Sequence, residues 1–415
     1  MSEILVIGGG VVGLSSALRL ARAGHDVTLL EPDSARTAAS WGNAGHIATE
    51  QVAPLASVET LKSAWKRRFA AGGAMDLPLH LAPHWLPFAL RFVNACSHDS
   101  FQDGCDALRP LLAQALPAWE RLADAVGRPE LLKQDGHLVA WESEASAAKG
   151  RAAWAAADTG TASAHAASAD DLSAIRGVTS AQIAGAVRFS GTAQIADLRQ
   201  LADALEAALL AAGGQIVRER AAVAVQGGRA VVAGHPADLV LVCAGARSAS
   251  LVAPAGLKAP LIAERGYHIR ADASDWPADM PPLVFEDRSM IVTRYAQQVQ
   301  AASFVEFGTV DAPPDPRKWE RLERHVAALG LPMRGPFTRW MGARPTLPDY
   351  LPAIGRSAQV PNLLYAFGHQ HLGLTLAAIT SELVTALVAE TTPAVPLKPF
   401  DLARFAPLSS LGGRP

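Results

Sequence analysis

Apolar and polar positions along the chain follow two periods, and the pattern switches between them several times. Ile4 to Ile7 is a short all-apolar run of the kind that forms a strand buried on both faces. The glycines of "GGGVVG", Gly8 to Gly13, end that run. Val11 to Ala23 then has helical composition until Gly24 stops it. A second strand, Val27 to Leu30, ends on Glu31. Residues 51–135 read as mainly helical, broken at Pro78, Pro83, Pro87, Pro110 and Pro117. Gly136 to Ser143 has strand character, and an alanine-rich stretch from Glu144 to about Asp171 reads as helix or loop. Leu198, Leu201, Leu205 and Leu209 recur at helical spacing before Gly213 and Gly214. Ala237 to Ser248 reads as a buried strand running into a turn at Gly245.

From Leu261 to Phe307 the pattern becomes short strands with turns, which predicts an antiparallel sheet. A charged helix spans Asp315 to Gly330. "GARPTLPDYLPAIG", Gly342 to Gly355, then places one arginine, Arg344, among three prolines. Pro345 biases Arg344 towards extended backbone, and Pro348 and Pro352 limit drift of the loop. A last strand, a glycine and histidine turn, and a helix with Leu376, Ile379, Leu383 and Leu387 on its apolar face complete the chain. The expected class is α/β, a doubly wound sheet with a second α+β domain. The nucleotide domain is expected to be discontinuous, from residues 1–50, 187–260 and 337–400. The second domain takes 51–186 and 261–336.

Gly8, Gly10 and Gly13 satisfy G-x-G-x-x-G between a strand and a helix, with an acidic residue ending the next strand. Gly8 permits the tight turn, Gly10 lets backbone approach a pyrophosphate, and Gly13 lets helix and strand pack closely. The helix N-terminus offers unpaired N–H groups to the anion. Glu31 is placed to accept from ribose hydroxyls and would repel a 2′-phosphate, which disfavours NADP. The fingerprint itself does not choose between FAD and NAD. "SWGNAGHI", Ser40 to Ile47, leans towards FAD, because small residues let a flat ring system lie against backbone.

Composition narrows this further. A chain of 415 residues exceeds one ordinary core and implies two or three domains. A formal net charge of -2 supplies no global field for nucleic acid or an acidic membrane, although local patches stay open. Cys96, Cys105 and Cys243 have neither metal-site nor disulfide spacing and read as free thiols in a reducing, cytoplasmic compartment. The N-terminus lacks the basic region of a signal peptide. No run of about 18 purely apolar residues predicts a membrane span. Peripheral contact with the inner membrane face is left open.

The ordered set "VIGGGVVGLSSALRLARAGHDVTLLE", "SWGNAGHI", "AGARS", "ERGYH", "GARPTLPDYLPAIG" and "GHQHLGLTLA" resembles the D-amino-acid oxidase superfamily of FAD-dependent oxidoreductases. It is most similar to bacterial D-amino-acid and D-hydroxyproline dehydrogenases. The likeness runs from Ile4 to about Glu390. It implies FAD, a Rossmann-like domain with an antiparallel-sheet substrate domain, and oxidation of a C–N bond beside a carboxylate. It places Asn43, Ala44 and Gly45 near the isoalloxazine ring, and Gly368 to Leu374 near its pyrimidine edge. Fingerprint and resemblance together nominate Gly8, Gly10, Val11, Val12, Gly13, Glu31, Ser40, Asn43, Ala44, Gly45, Gly245, Gly342, Gly368, His371, Gly373, Leu374 and Thr375 as cofactor contacts. Some relatives attach flavin through a cysteine just before "RPTLPD". "WMGARPTLPD" has none, so FAD is expected to be non-covalent.

An amino-acid carboxylate needs a permanent cation, and a guanidinium grips it through two parallel bonds. Arg344 is the candidate, and an ion pair with Asp349 is its structural alternative. Tyr267 would add a phenolic hydrogen bond to the same carboxylate, or else is a half-buried strand tyrosine. His46 would face the amine. His268, His369 and His371 are further candidates, although a lone histidine is more often structural. No carboxylate or thiol joins His369 and His371 at ligand spacing, so no metal is expected. The expected reaction is hydride transfer from the α-carbon to flavin N5, with an acceptor that is a quinone, an electron-transfer protein or oxygen. Alternatives are a glycine or sarcosine oxidase, a flavin-binding subunit without its own substrate, and an NAD-dependent dehydrogenase.

Overall fold

A computed structural model describes residues 1–406 of the chain. The apolar runs at the N-terminus, at Leu239–Val242 and at Leu363–Phe367 are buried because they lie side by side inside one sheet. That six-stranded sheet runs Gln215–Val217, Asp26–Leu30, Glu3–Ile7, Leu239–Val242, Leu363–Phe367, Ala353–Arg356. All neighbours are parallel except the last pair. Helices Val11–Arg22, Leu198–Ala211 and Gly373–Val388 cover one face, and a hairpin, Val223–Gln226 with Arg229–Val232, packs on the other. Both faces are dry, so the strands carry no polar alternation. The stretch Gln370–Val388 is long and apolar enough to cross a bilayer, but 61% of it is buried, so its apolarity is that of a core helix.

The second sheet runs Thr338–Thr346, Ile262–Asp272, Gln298–Gly308, Met290–Arg294, Leu283–Phe285, His137–Trp141, Gly185–Ser190, Ser163–Ala166, with Met75–Asp76 added beside Gln298–Gly308. Three expectations change here. Thr338–Thr346 pairs with Ile262–Asp272 over nine registered positions, so residues 337–346 belong to this sheet and not to the nucleotide domain. Gly185–Ser190 pairs with His137–Trp141, so a boundary at 187 would cut a strand. Helices His98–Ala113 and Ala115–Ala125, expected in the second domain, join the core of the first sheet. Trp119 Nε1 donates there to the carbonyls of Leu374 and Thr375. The alanine-rich stretch also contains a strand, Ser163–Ala166, because pairing with Gly185–Ser190 outweighs the helix propensity of alanine.

Helix Pro316–Leu329 closes the far face of the second sheet with its apolar side, including Leu322, Val326 and Leu329. Its Lys318 is fully buried, with Nζ 2.7 Å from Asp76 and 2.9 Å from Asp315 and also paired to Glu306. Burial opposes the charge, but hydrogen bonds donated to the three carboxylates outweigh it and raise the Lys318 pKa. The ammonium therefore occupies the space between three carboxylates that would otherwise group as a cation site. Lys318→Met should leave Asp76 without a cation, while Glu306 keeps Arg265 and Asp315 keeps Arg317, and should lower unfolding free energy by about 3–5 kcal/mol. Urea denaturation of the two proteins checks this, and equal midpoints would show that the cluster does not need its cation.

Candidate active site

The turn after Glu3–Ile7 is built from glycines because nothing larger fits. Gly8 has φ +109°, and a Cβ there would sit 2.6 Å from the Cys243 carbonyl oxygen. A Cβ on Gly13 would lie 1.8 Å from the Gly8 carbonyl oxygen, so helix and strand approach only through a glycine. Helix Val11–Arg22 has no side-chain cap at Gly10. Val11 N–H donates to Ser40 Oγ at 3.1 Å, which leaves the N–H groups of Val12 and Gly13 without partners among the described residues. Glu31 ends its strand with Oε2 accepting from Gly9 N–H and Oε1 accepting from Asp33 N–H at 2.8 Å. Each oxygen keeps a further lone pair for a hydroxyl.

This groove opens into a cavity of 1480 Å³, larger than one small ligand requires. Of the nominated cofactor contacts, Gly8, Gly10, Val11, Val12, Glu31, Ser40, Asn43, Ala44, Gly245, Gly342, His371, Gly373 and Leu374 line it. Four do not. Gly13, Gly45 and Gly368 shape the wall from behind, with Gly45 at φ +76° against Tyr295 and Gly368 at φ +78° against Leu347. Thr375 is turned away, with Oγ1 accepting from Ala48 N–H at 2.9 Å. The small-residue loop is anchored across the two sheets: the Asn43 carbonyl accepts from Tyr295 Oη at 2.7 Å and Gln300 Nε2 at 3.0 Å.

Arg344 lies opposite Glu264 in the strand register and donates from Nη1 to Glu264 Oε1 at 2.9 Å. Asp349, the expected structural partner, pairs instead with Arg404 at 2.7 Å. Glu264 also accepts from Thr346 Oγ1 at 3.0 Å and Tyr350 Oη at 3.2 Å. The guanidinium lies flat on Gly266, where a Cβ would sit 2.2 Å from Nη2. A bulge makes room. Phe304 and Val305 together face Gly266, and Phe304 takes φ +70°, turning its carbonyl towards Arg344 at 3.4–3.5 Å. Among the described residues Nε has no hydrogen bond, and Nη2 only the long Phe304 contact. The side chain is 26% exposed at the cavity wall. Arg67 lines the same cavity, has no ion pair among the described residues, and shares with Arg344 an electrostatic influence on Tyr350.

Comparison with known proteins decides the class. A profile described as "DAO: FAD dependent oxidoreductase" matches residues 3–387. The chain belongs to the DAO family of FAD-dependent oxidoreductases. It is 31% identical over 432 residues to a D-amino-acid oxidase of Bradyrhizobium diazoefficiens, covering 97% of this chain and 99% of that protein. It is 30% identical over 436 residues to D-amino acid dehydrogenase 2 of Ralstonia nicotianae, covering 97% and 100%. Its fold is similar to that of glycine oxidase from Geobacillus kaustophilus, with a TM-score of 0.72 and 21% identity over 97% of this chain and 98% of that one. FAD is the cofactor, and the enzyme acts on amino donors. The residues fit FAD: the unpaired N–H groups of Val12 and Gly13 would hold the pyrophosphate, Glu31 would accept from the ribose, and a glycine-walled groove leads to the second sheet.

Tyr267 borders the same cavity as Arg344, but its hydroxyl is turned away from that arginine. Strand positions 264, 266 and 268 face the cavity side, whereas Arg265, Tyr267 and Ile269 point to helix Pro316–Leu329. The Tyr267 hydroxyl donates to Glu306 at 3.0 Å and accepts from Arg265 at 3.0 Å and from Asp315 N–H at 3.1 Å, which uses its full capacity. His268 is a pillar. Its Nδ1 meets the Gly42 carbonyl at 3.0 Å, its ring stacks on Trp340, and burial holds its pKa well below the usual range. His369 is buried against Thr380 at 3.0 Å, and burial lowers its pKa to about 3. His371 lines the cavity with Nε2 paired to Gln51 Oε1. Burial, chiefly, lowers its pKa to about 4 and keeps it neutral.

His46 lines the cavity with Nε2 3.2 Å from Glu50 Oε1, while its Nδ1 is buried without a partner among the described residues. His137 packs edge-on at 4.4 Å, with Nδ1 on Thr192. These three bring potential ligand atoms within 4.8 Å of one another, a grouping that sequence spacing did not disclose. Burial pushes the Glu50 carboxyl up, but the charge and hydrogen bond of His46 outweigh it and hold it at about 2. Glu50, Glu264, Gly266 and Arg67 are the site residues that sequence reasoning missed. Alternation alone would have found two of them, since Glu264 and Gly266 share a face with His268 and not with Tyr267.

The folded pKa of Glu50 lies below its ordinary 4.5, so its contribution is full above pH 4.5 and fades as pH falls to about 2. Glu50→Gln lacks that contribution. The stability gap between wild type and Glu50→Gln should close as pH falls from 4.5 towards 2. Urea unfolding across that range measures it, and a gap that widens in acid would reverse the assignment.

Proposed function

We propose that this enzyme oxidises D-amino acids with large apolar side chains at the bond between α-carbon and nitrogen, with FAD held non-covalently. The observation that carries the reading is the open Nε–Nη2 edge of Arg344, held flat on Gly266 and pinned from behind by Glu264. That edge matches a carboxylate through two parallel bonds. Glu264 already balances Arg344, and Arg67 supplies the second positive charge that a substrate carboxylate requires. D-handedness is supported by the two curated relatives of nearly full length. Non-covalent binding is supported by Cys243, the cysteine that lines the cavity among the described residues, whose thiol burial pushes far above the usual range.

The walls near Arg344 favour a bulky side chain. Phe88 and Phe307 pack at 5.7 Å, Phe92 meets Tyr350 at 5.8 Å, and Met75, Leu77 and Trp85 complete the cluster. FAD, when bound, supplies the two-electron acceptor for the α-hydrogen. Arg344 fixes the carboxylate and with it the α-carbon, and the aromatic wall excludes water. A primary amine leaves as an imino acid, which hydrolyses to a 2-oxo acid and ammonia. A proline-type substrate would yield a cyclic imine.

The visible spectrum under anaerobic titration tests this. D-Phenylalanine, D-leucine and D-methionine should bleach the flavin fastest, with D-proline, hydroxy-D-proline, glycine and sarcosine slower and L-enantiomers inert. Bleaching by L-amino acids, or by none, would sink the proposal. Peroxide measured in air separates oxygen from other acceptors. Arg344→Ala should retain FAD and raise KM about 10–150-fold, the effect of losing a charge-assisted pair. Gly266→Ala, which displaces the guanidinium, should raise KM up to about 100-fold. Unchanged kinetics in both would remove Arg344 from the substrate.

A further inference from the structure

Nine large hydrophobic residues are strongly exposed among the described residues, and seven of them fall between residues 55 and 93. Helix Ala82–Ala95, "APHWLPFALRFVNA", carries the patch. Only Phe88 of this helix is buried, although His84, Arg91 and Asn94 are its only polar side chains. A helix apolar all round belongs in a core or in lipid. Here one side, with Trp85, Phe88 and Phe92, packs towards the cavity. The other presents Leu86, Leu90 and Val93 to the outside, continued by Leu79 at 85% exposure and Trp65 at 72%.

The charges around this surface choose its partner. Residues 55–93 hold five basic residues, Lys62, Lys66, Arg67, Arg68 and Arg91, against Glu59 and Asp76, in a chain whose net charge is -2. Asp76 is turned inward onto Lys318, so Glu59 is the one acid left to oppose them. Arg68 lies over the Trp65 ring at 4.3 Å, which places an aromatic ring and a cation together at the patch edge. Apolar side chains flanked by tryptophan and clustered Lys and Arg match the interface of an anionic bilayer.

We infer that helix Ala82–Ala95 and the segment before it dock this enzyme on the surface of an anionic lipid bilayer. Leu55, Arg67 and Val93 are exposed and also line the cavity, so the docked face contains a mouth of the cavity. A chain seated this way opens its redox site towards the lipid phase.

The test uses the holoprotein and vesicles of phosphatidylglycerol with phosphatidylethanolamine, against vesicles of phosphatidylcholine alone. Wild type should sediment with the anionic vesicles and release in high salt. Leu86→Asp with Leu90→Asp, positions that do not line the cavity, should lower vesicle affinity at least ten-fold while the flavin spectrum and Tm hold. Lys62→Gln with Arg68→Gln should lower it about five-fold per charge removed. The inference is overturned if wild type stays in solution with anionic vesicles, or if the leucine variant sediments like wild type. It is also overturned if sedimentation velocity shows a dimer that this variant dissociates without any change in vesicle binding.

Discussion

The pairing of Glu264 with Arg344 ties the two sheets of this molecule to its chemistry. Glu264 is buried, and it accepts from the guanidinium, from Thr346 and from Tyr350. Thr346 ends the last strand of the second sheet, and Tyr350 stands in the loop that carries the chain back to Ala353–Arg356 in the first. One buried carboxylate therefore sets where the second sheet stops, how the chain returns to the first, and which edge of Arg344 stays open. A buried charge is tolerated only when its lone pairs are met, and here each donor belongs to the path between the sheets.

The strand Ile262–Asp272 separates two electrostatic tasks by alternation. Its cavity face presents Glu264, Gly266 and His268, and its other face presents Arg265 and Tyr267 to the Lys318 cluster. The bulge opposite Gly266 keeps these apart at the point of closest approach. The left-handed Phe304 at that bulge is a strained conformation for a bulky residue. It persists where the neighbouring strands and the Arg344 guanidinium hold it.

The groove for the nucleotide and the mouth of the cavity follow opposite rules. The groove is made of small residues and backbone, because a pyrophosphate and a flat ring need close approach. The mouth is made of large apolar residues left in contact with solvent, which a folded chain avoids unless something else covers them.

The N-terminal strand, turn, helix and acidic strand end were all legible in the sequence, because their physics is local: a buried run, a glycine turn and a helix stop occur within thirty-one residues. The helices at Leu198–Ala211, Pro316–Leu329 and Gly373–Val388 were equally readable from their periods. What sequence could not supply was partnership. Arg344 stood out by itself, but Glu264 as its partner, in place of Asp349, depends on the register of two strands about eighty residues apart. Tyr267 looked suitable by chemistry and was turned the other way by the pleat. Thr338–Thr346 and the helices around Trp119 changed domain because sheet pairing and core burial outrank sequence neighbourhood. The chain by itself determined the nucleotide groove and the candidate cation. Only the tertiary structure decided which donors of that cation remain free, because hydrogen-bond satisfaction in a buried site is a property of all the groups around it.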